Sequence, residues 1–410
     1  MSPDRSHALD HVVLVLFENR SVDNLLGHLY GPEDGKTFEG VIGKDLRNPI
    51  PEWAEHGAER KTVSYTVTTD MDAPNPDSGE EYFHTNVQLF NVLDEHNRFK
   101  VGDQVTAPWN APEPGAVPSM DGFVTDYISC FTGEVGRQPT YEEYSKIMTG
   151  YTPEQVPVLN GIARGFGVFD HWFCEVPSQT LMNRSFWTAA PSSGFVINSP
   201  ASLARIYEAI RSAASTEGSD AHNTTFFIGW DEPGGTYDHV PPGPVPSPDP
   251  SAPAGEMGFK FDRSGCRVPA IIVSPWVDEG TVINKEHRHT SMIATLRKVW
   301  DLGDAFTARD AAARPFDHLL SRESPRDPAS WPDVHPLPVP AYHMDEALMS
   351  KALSTLGKSM SGGLIEHAKQ SGMTIPPELN DPASPPSAAQ IIAFLRSIAF
   401  QYFPGLAPTK

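Results

Sequence analysis

Two short apolar runs, each ending in a cluster of ionisable residues, constrain this chain more than any other feature. Phe226-Phe-Ile-Gly-Trp230 runs directly into Asp231-Glu232, followed by a Gly-Gly turn and the pair Asp238-His239. Near the start of the chain, His11-Val-Val-Leu-Val-Leu-Phe17 ends in Glu18-Asn19-Arg20. Continuous apolar runs of this length read as strands covered on both faces, as in parallel sheets. Side chains delivered at the ends of such strands fall in the crevice where open α/β sheets bind ligands. Glu18, Asn19, Asp231 and Glu232 offer hard oxygen donors there, the type that suits a divalent cation. The pattern predicts a metal-dependent hydrolase.

The rest of the chain fits an alternating α/β order. A helix is expected from Thr152-Pro153 onward, because a capping threonine precedes proline at the first helical position. Gly167–Trp172 reads as a strand, Ser202–Ala214 as an amphipathic helix, and Arg267–Val277 as another buried strand. Thr290 or Ser291 is expected to cap a helix running to Trp300. Residues 31–80 are rich in Gly, Pro, Asp and Asn and predict a long surface excursion. Within it only Thr62–Thr69 looks β-like, and Glu80–Asn91 after it could be helical. The Pro-rich stretch 240–255 lacks too many backbone donors for helix or strand and reads as a loop over the site. Residues 1–335 are expected to form the catalytic domain, with insertions at about 31–120 and 240–262. Residues 336–410 are expected to form a helical layer packed on the same domain.

The formal charge of −21 opposes nucleic acid and stable binding to anionic membrane surfaces. An anionic substrate would therefore need a locally positive site, most simply a bound cation. Cys130, Cys174 and Cys266 have no CxxC spacing and read as buried small hydrophobes. No apolar run approaches the roughly 18 residues needed to cross a bilayer, and the first residues show no secretion signal, so a cytoplasmic location is expected.

Five motifs in order carry a resemblance to a known family. They are Glu18-Asn-Arg-Ser21, Met120-Asp-Gly-Phe123, Asp231-Glu-Pro-Gly-Gly-Thr-Tyr-Asp-His239, Arg267-Val-Pro-Ala-Ile-Ile-Val-Ser-Pro-Trp276 and His289-Thr-Ser291. Together they resemble the bacterial phosphoesterase family of phospholipases C and an acid phosphatase, within the alkaline-phosphatase superfamily. The resemblance implies an α/β/α three-layer sandwich with a mostly parallel central sheet. It also implies one divalent metal rather than two; oxygen ligands with one Asn accommodate Ca, Mg, Mn or Fe. The family's nucleophile segment, Pro-Gly-Pro-Thr-x-Pro-Asn-Arg, is matched by Pro177-Ser-Gln-Thr180-Leu-Met-Asn183-Arg184, which keeps Thr, Asn and Arg but loses the glycine and two prolines.

On that resemblance Thr180 is the expected nucleophile and fifth metal ligand, with Ser178 as a rival hydroxyl. Asn183 and Arg184 are expected to hold the phosphoryl oxygens, and His239 and His289 to reach the phosphoryl group, one of them protonating the leaving oxygen. Asp238 is expected to stand behind the ligands, His287 to face solvent, and His171 to sit in the core. Glu18 and Asn19 could instead merely cap the helix near Ser21. Many relatives carry a histidine near residue 80, and Glu80, Glu81 and His84 all compete for that place. The leading expectation is a phosphomonoesterase that acts on a soluble metabolite, a small-molecule phosphate ester, through a phosphothreonine. A phospholipase-C-like phosphodiesterase and a non-catalytic metal- or phosphate-binding relative are the alternatives.

Overall fold

A computed structural model describes residues 4–71, 74, 76–188, 200–215, 218–338 and isolated positions between 365 and 394. The chain divides into two compact units, residues 1–337 and 338–410. The elements that build the first unit's site are β1 (His11–Phe17), α1 (Val22–Leu25), α2 (Tyr82–Phe90), α3 (Phe123–Val135), α4 (Pro157–Gly165), β2 (Gly167–Phe169) and β3 (Trp172–Phe173). They continue with α5 (Thr180–Thr188), α6 (Pro200–Arg211), β4 (Thr224–Trp230), β5 (Ala270–Val273), β6 (Thr281–Ile283), β7 (His287–Arg288) and α7 (Thr290–Val299).

The central sheet runs β1-β4-β5-β2-β6. β1 pairs with β4 and β2 with β6 in parallel, while β5 runs antiparallel to both its neighbours. The sheet is mostly parallel, as the apolar runs imply, with one reversed strand at its centre. Every residue of β4 and β5 is buried, so both faces of these strands are covered. Phe227 and Gly229 share one face of β4, and Trp187 of α5 lies against both. β1 and β4 are in register from His11 opposite Thr224 to Phe17 opposite Trp230. The two strands therefore end level, and the Asp231 amide donates to the Phe17 carbonyl at 3.2 Å. This register sets Glu18-Asn19 beside Asp231-Glu232.

Several boundaries differ from expectation. α4 begins at Pro157 rather than near Thr152, so a proline still opens it, but a different one. The expected strand Gly167–Trp172 is divided: β2 joins the central sheet, and β3 pairs with β7 in a separate two-stranded ribbon. The surface excursion contributes to a second apolar cluster. Ile50 and Val63 pack there with Leu89 of α2, with Phe123, Ile128 and Phe131 of α3, and with Tyr237. α3 goes unread in the sequence, where Pro108, Pro112, Pro114 and Pro118 precede it.

In the second unit Ile365, Ile375, Leu379, Ile391 and Phe394 form a small apolar cluster, with a 3-10 turn at Pro377–Leu379. Most of the residues expected to be helical after 340 lie outside the described residues. Among the described residues no helix is long and apolar enough to cross a membrane. Cys130, Cys174 and Cys266 are buried free thiols, as expected.

Gly122 shows how closely α2 and α3 approach. A Cβ on it would fall 1.7 Å from the Val87 carbonyl oxygen and 2.9 Å from the Asn91 Cα. Both obstacles are backbone, so Gly122→Ala must force the two helices apart. We expect a loss of more than about 2 kcal/mol of stability, read as a lowered Tm in thermal unfolding; an unchanged Tm would contradict this packing.

Candidate active site

The site forms where β1 and β4 stop. Ser21, not Glu18 or Asn19, caps α1: its Oγ accepts from the Asn24 amide at 3.1 Å. Ser21 also ties this turn to the Asp231–His239 motif, donating its amide to Thr236 Oγ1 and its hydroxyl to the Tyr237 carbonyl. Capping is thus accounted for, and Glu18 and Asn19 are left for other work. Asn19 takes a left-handed φ of 61°, an uncommon state outside glycine. Gly234, with φ 59°, lies directly against it, and a Cβ there would come 2.4 Å from the Asn19 Cβ. Only glycine lets the Asp-Glu turn close so tightly on Asn19.

Carboxylates crowd this rim. Asp231 and Glu232 are fully buried, Glu80 is 6% exposed, and the Glu18 side chain is 10% exposed. Burial, then the neighbouring charges of Glu80 and Asp231, pushes Glu232 well above the usual carboxylate range. Burial lifts Asp231 to about 6, against the pull of Arg184. Arg184 bridges two of these acids, donating from Nε to Asp231 Oδ2 at 2.8 Å and from a terminal nitrogen to Glu18 Oε1 at 2.9 Å.

Three buried oxygens in this region, Asn19 Oδ1, Glu232 Oε1 and Thr180 Oγ1, have no hydrogen-bond partner. Leaving such groups unsatisfied is costly. Three orphaned hard oxygens among excess negative charge match the donor set of an oxygen-coordinated divalent cation. Among the described residues, the ionisable group that brings possible ligand atoms within 4.8 Å of one another is a different one, Asp23, Asp238 and His239. There the charge is already met: buried Arg267 donates to Asp23 Oδ1 at 2.8 Å and to Asp238 Oδ1 at 2.9 Å. The Asp23–Asp238 group is therefore a satisfied ion lattice, whereas the three rim oxygens lack partners.

Thr180 is the first residue of α5, so its hydroxyl sits where a helix presents free amides and positive dipole to an anion. Arg184, one turn along the same helix, faces the same way, which lays Thr180's side of α5 against the acidic rim. The segment leading into α5 is held from several directions. Thr85 Oγ1 of α2 donates to the Pro177 carbonyl at 2.6 Å. Glu175 accepts from the Thr290 amide at 3.1 Å and from Arg309. Asn183 does not face the ligand region as expected. Its Oδ1 accepts from the Val176 amide at 3.0 Å, and its Nδ2 donates to the Val176 and Ser178 carbonyls at 3.1 and 2.7 Å. With every amide atom spent on loop backbone, Asn183 clasps the nucleophile loop. Ser178, the rival hydroxyl, is half-buried and precedes the helix.

The two expected proton donors are engaged elsewhere. His289 is fully buried; its Nε2–H donates to the Asp231 carbonyl at 2.6 Å, and its Nδ1 accepts from the Trp172 indole at 3.2 Å. Burial drives its pKa down to about 3. In this geometry both ring nitrogens are engaged, and His289 clamps the Asp231 backbone. His239 Nδ1 donates to Asp23 Oδ2 at 2.7 Å, and its Nε2 meets Glu39 Oε1 at 3.0 Å, within the Arg267 lattice. Asp238 is likewise a member of that lattice. His287 is 1% exposed, not solvent-facing; it stacks parallel to Trp172. His171 is part-exposed and bonds Asp170 rather than lying in the core.

Near residue 80 the structure chooses among the three competitors. His84 Nδ1 donates to Asp126 Oδ1 at 2.7 Å, away from the rim. Glu80 is the one that reaches it, accepting from Asn19 Nδ2 at 2.5 Å. The sequence left Glu80 as one of three candidates for this place. Its only signal was position, between a Pro-Asp turn and the start of α2.

Comparison with known proteins agrees with this geometry. The model of the phosphoesterase family matches residues 9–201 and 196–303. Non-specific phospholipase C6 of Arabidopsis thaliana is 27% identical over 446 residues, covering 82% of this chain and 77% of the relative. Non-specific phospholipase C3 of the same plant is 25% identical, covering 79% and 76%. Non-hemolytic phospholipase C of Burkholderia pseudomallei (strain K96243) is 29% identical over 214 residues, covering 48% of this chain and 29% of the relative. Paired strand ends, buried acids and a hydroxyl at a helix start thus coincide with the family match, and the chain belongs to the phosphoesterase family as a phosphoric ester hydrolase.

Proposed function

We propose that this protein is a phospholipase-C-type phosphodiesterase with Thr180 as nucleophile. The observation that carries the mechanism is the buried, unpartnered Thr180 Oγ1 at the start of α5, on the helix that Arg184 ties to Glu18 and Asp231. The relatives' names favour diester cleavage over the expected phosphomonoesterase. The surface beside the nucleophile supports the same choice. Leu181 and Met182 follow Thr180 directly and are 61% and 37% exposed, offering apolar contact to a lipid leaving group rather than to a soluble metabolite.

Glu18, Asn19, Asp231, Glu232 and Thr180 would hold one divalent cation. When bound, it supplies the positive charge that lowers the hydroxyl's pKa and offsets charge on the phosphoryl oxygens. Thr180 Oγ, giving up its proton, attacks phosphorus as the bond to the glyceride oxygen breaks. That oxygen takes up a proton from solvent and leaves as diacylglycerol. Water then hydrolyses the phosphothreonine diester, releasing the phosphorylated headgroup and restoring the Thr180 hydroxyl. The α5 amides hold the non-bridging oxygens as negative charge builds. Arg184 keeps Glu18 and Asp231 fixed relative to Thr180. Asn183 fixes the loop before the nucleophile, and His289 fixes the Asp231 backbone.

With manganese or calcium supplied, the protein should release phosphocholine from phosphatidylcholine vesicles faster than phosphate from nitrophenyl phosphate. Thr180→Ala should lower lipid turnover by at least roughly 10³-fold, and Thr180→Ser should keep part of it. Cleavage of the monoester alone would restore the phosphomonoesterase, full activity in Thr180→Ala would move the nucleophile to another group, and no turnover of either ester would favour the binding relative.

His289 should remain neutral, with the proton on Nε2, across about pH 5 to 8, as read by nitrogen NMR. Because its folded pKa lies below the unfolded value of about 6.5, its contribution to stability is complete above that value and is lost as pH falls toward about 3. A midpoint inside the physiological range would contradict the clamp.

A further inference from the structure

We propose that Glu80 is a positioning residue that orients the Asn19 side chain for metal binding; the inference rests on the cation site described under Proposed function. An asparagine amide has two ends of similar shape but opposite chemistry, and only Oδ1 can bind a cation. In this protein Nδ2 donates to Glu80 Oε1 at 2.5 Å, while Oδ1 is buried and has no hydrogen-bond partner. Because Glu80 Oε1 accepts from Nδ2, Glu80 holds the nitrogen end of the amide and leaves Oδ1 as the end available to a cation. Asn19's left-handed backbone and the press of Gly234 against its Cβ leave the side chain little other choice of position.

Glu80 is itself held firmly. Gln88 of α2 donates from Nε2 both to the Gly79 carbonyl at 2.7 Å and to Asp126 Oδ2 at 2.8 Å. His84, fixed by the same Asp126, lies flat against Gly79, where a Cβ would fall 2.1 Å from its ring. On the other side Gly235 abuts Ser78, at 2.5 Å for an added Cβ. The segment before α2 is thus wedged between that helix and the Asp-Glu turn, with Glu80 aimed at Asn19. This is how groups behind a metal ligand commonly act: they fix its orientation without touching the ion.

Isothermal titration of manganese alone into metal-stripped protein tests this, alongside thermal unfolding to check that each variant is folded. Glu80→Ala should bind manganese roughly 10–100-fold more weakly than the parent, and the volume-keeping Glu80→Met should behave alike. Glu80→Gln, whose Oε1 can still accept from Asn19, should stay within about 3-fold of the parent. In an Asn19→Ala background, Glu80→Ala should cost nothing further, because its effect runs through Asn19. Parent-like affinity in Glu80→Met, equal losses in the Gln and Met variants, or additive losses with Asn19→Ala would each overturn the inference. Asp231→Ala separates the two levels. If it loses affinity while Glu80→Met does not, only the role of Glu80 fails; if it too binds like the parent, or the parent binds no manganese, the cation site itself fails.

Discussion

Four carboxylates, those of Glu18, Glu80, Asp231 and Glu232, converge at the end of one pair of strands, largely out of reach of water. Removing such charges from water without compensation is among the costliest things a fold can do. The upward displacement of Asp231 and Glu232, caused first by burial and then by like charge, expresses that cost. Arg184 offsets part of it by bridging Glu18 and Asp231. The remainder is sustained by structure: a strand register that brings the pairs level, a Gly-Gly turn that closes over Asn19, and helices that pin the segments carrying Glu80 and Thr180. These supports hold the rim's hard oxygens together, the arrangement that the proposed cation would make favourable.

Beneath the rim lies a second charged layer with the opposite character. Arg267, Asp23, Asp238 and His239 are mutually paired, and Arg267 also donates to the Glu39 and Asp170 carbonyls at 2.8 Å. Removing one partner of such a buried lattice is strongly destabilising. It joins α1 to the turn after β4 and to the approach to β5, tying together the segments that deliver the rim's ligands. The Asp238-His239 end of the Asp231–His239 motif is therefore bound into this lattice, while its Asp231-Glu232 end lies at the rim.

The parts of this arrangement legible in the sequence are those written locally. Unbroken apolar runs announced β1, β4 and β5, and the residues after β1 and β4 announced a hard-oxygen site, because a strand's end is also where its next polar residue emerges. What was not legible depends on contacts between distant segments. Asn183 looks like an oxyanion holder until its amide is seen clasping Val176 and Ser178. His289 looks like an acid until its two nitrogens are found on the Asp231 carbonyl and Trp172, 58 and 117 residues away. Glu80 and His84 were indistinguishable by spacing, and the turn at Gly79 decides which reaches Asn19. The helix Phe123–Val135, preceded by prolines, went unread, and its apolar face turned out to close a second core.

The most direct measurement of the central claim is anomalous diffraction from crystals soaked in manganese. A single strong anomalous peak bounded by Glu18, Asn19, Asp231, Glu232 and the Thr180 hydroxyl is the expected result. A peak among Asp23, Asp238 and His239 instead, with none at the rim, would show that the satisfied and unsatisfied charge layers had been assigned the wrong way round.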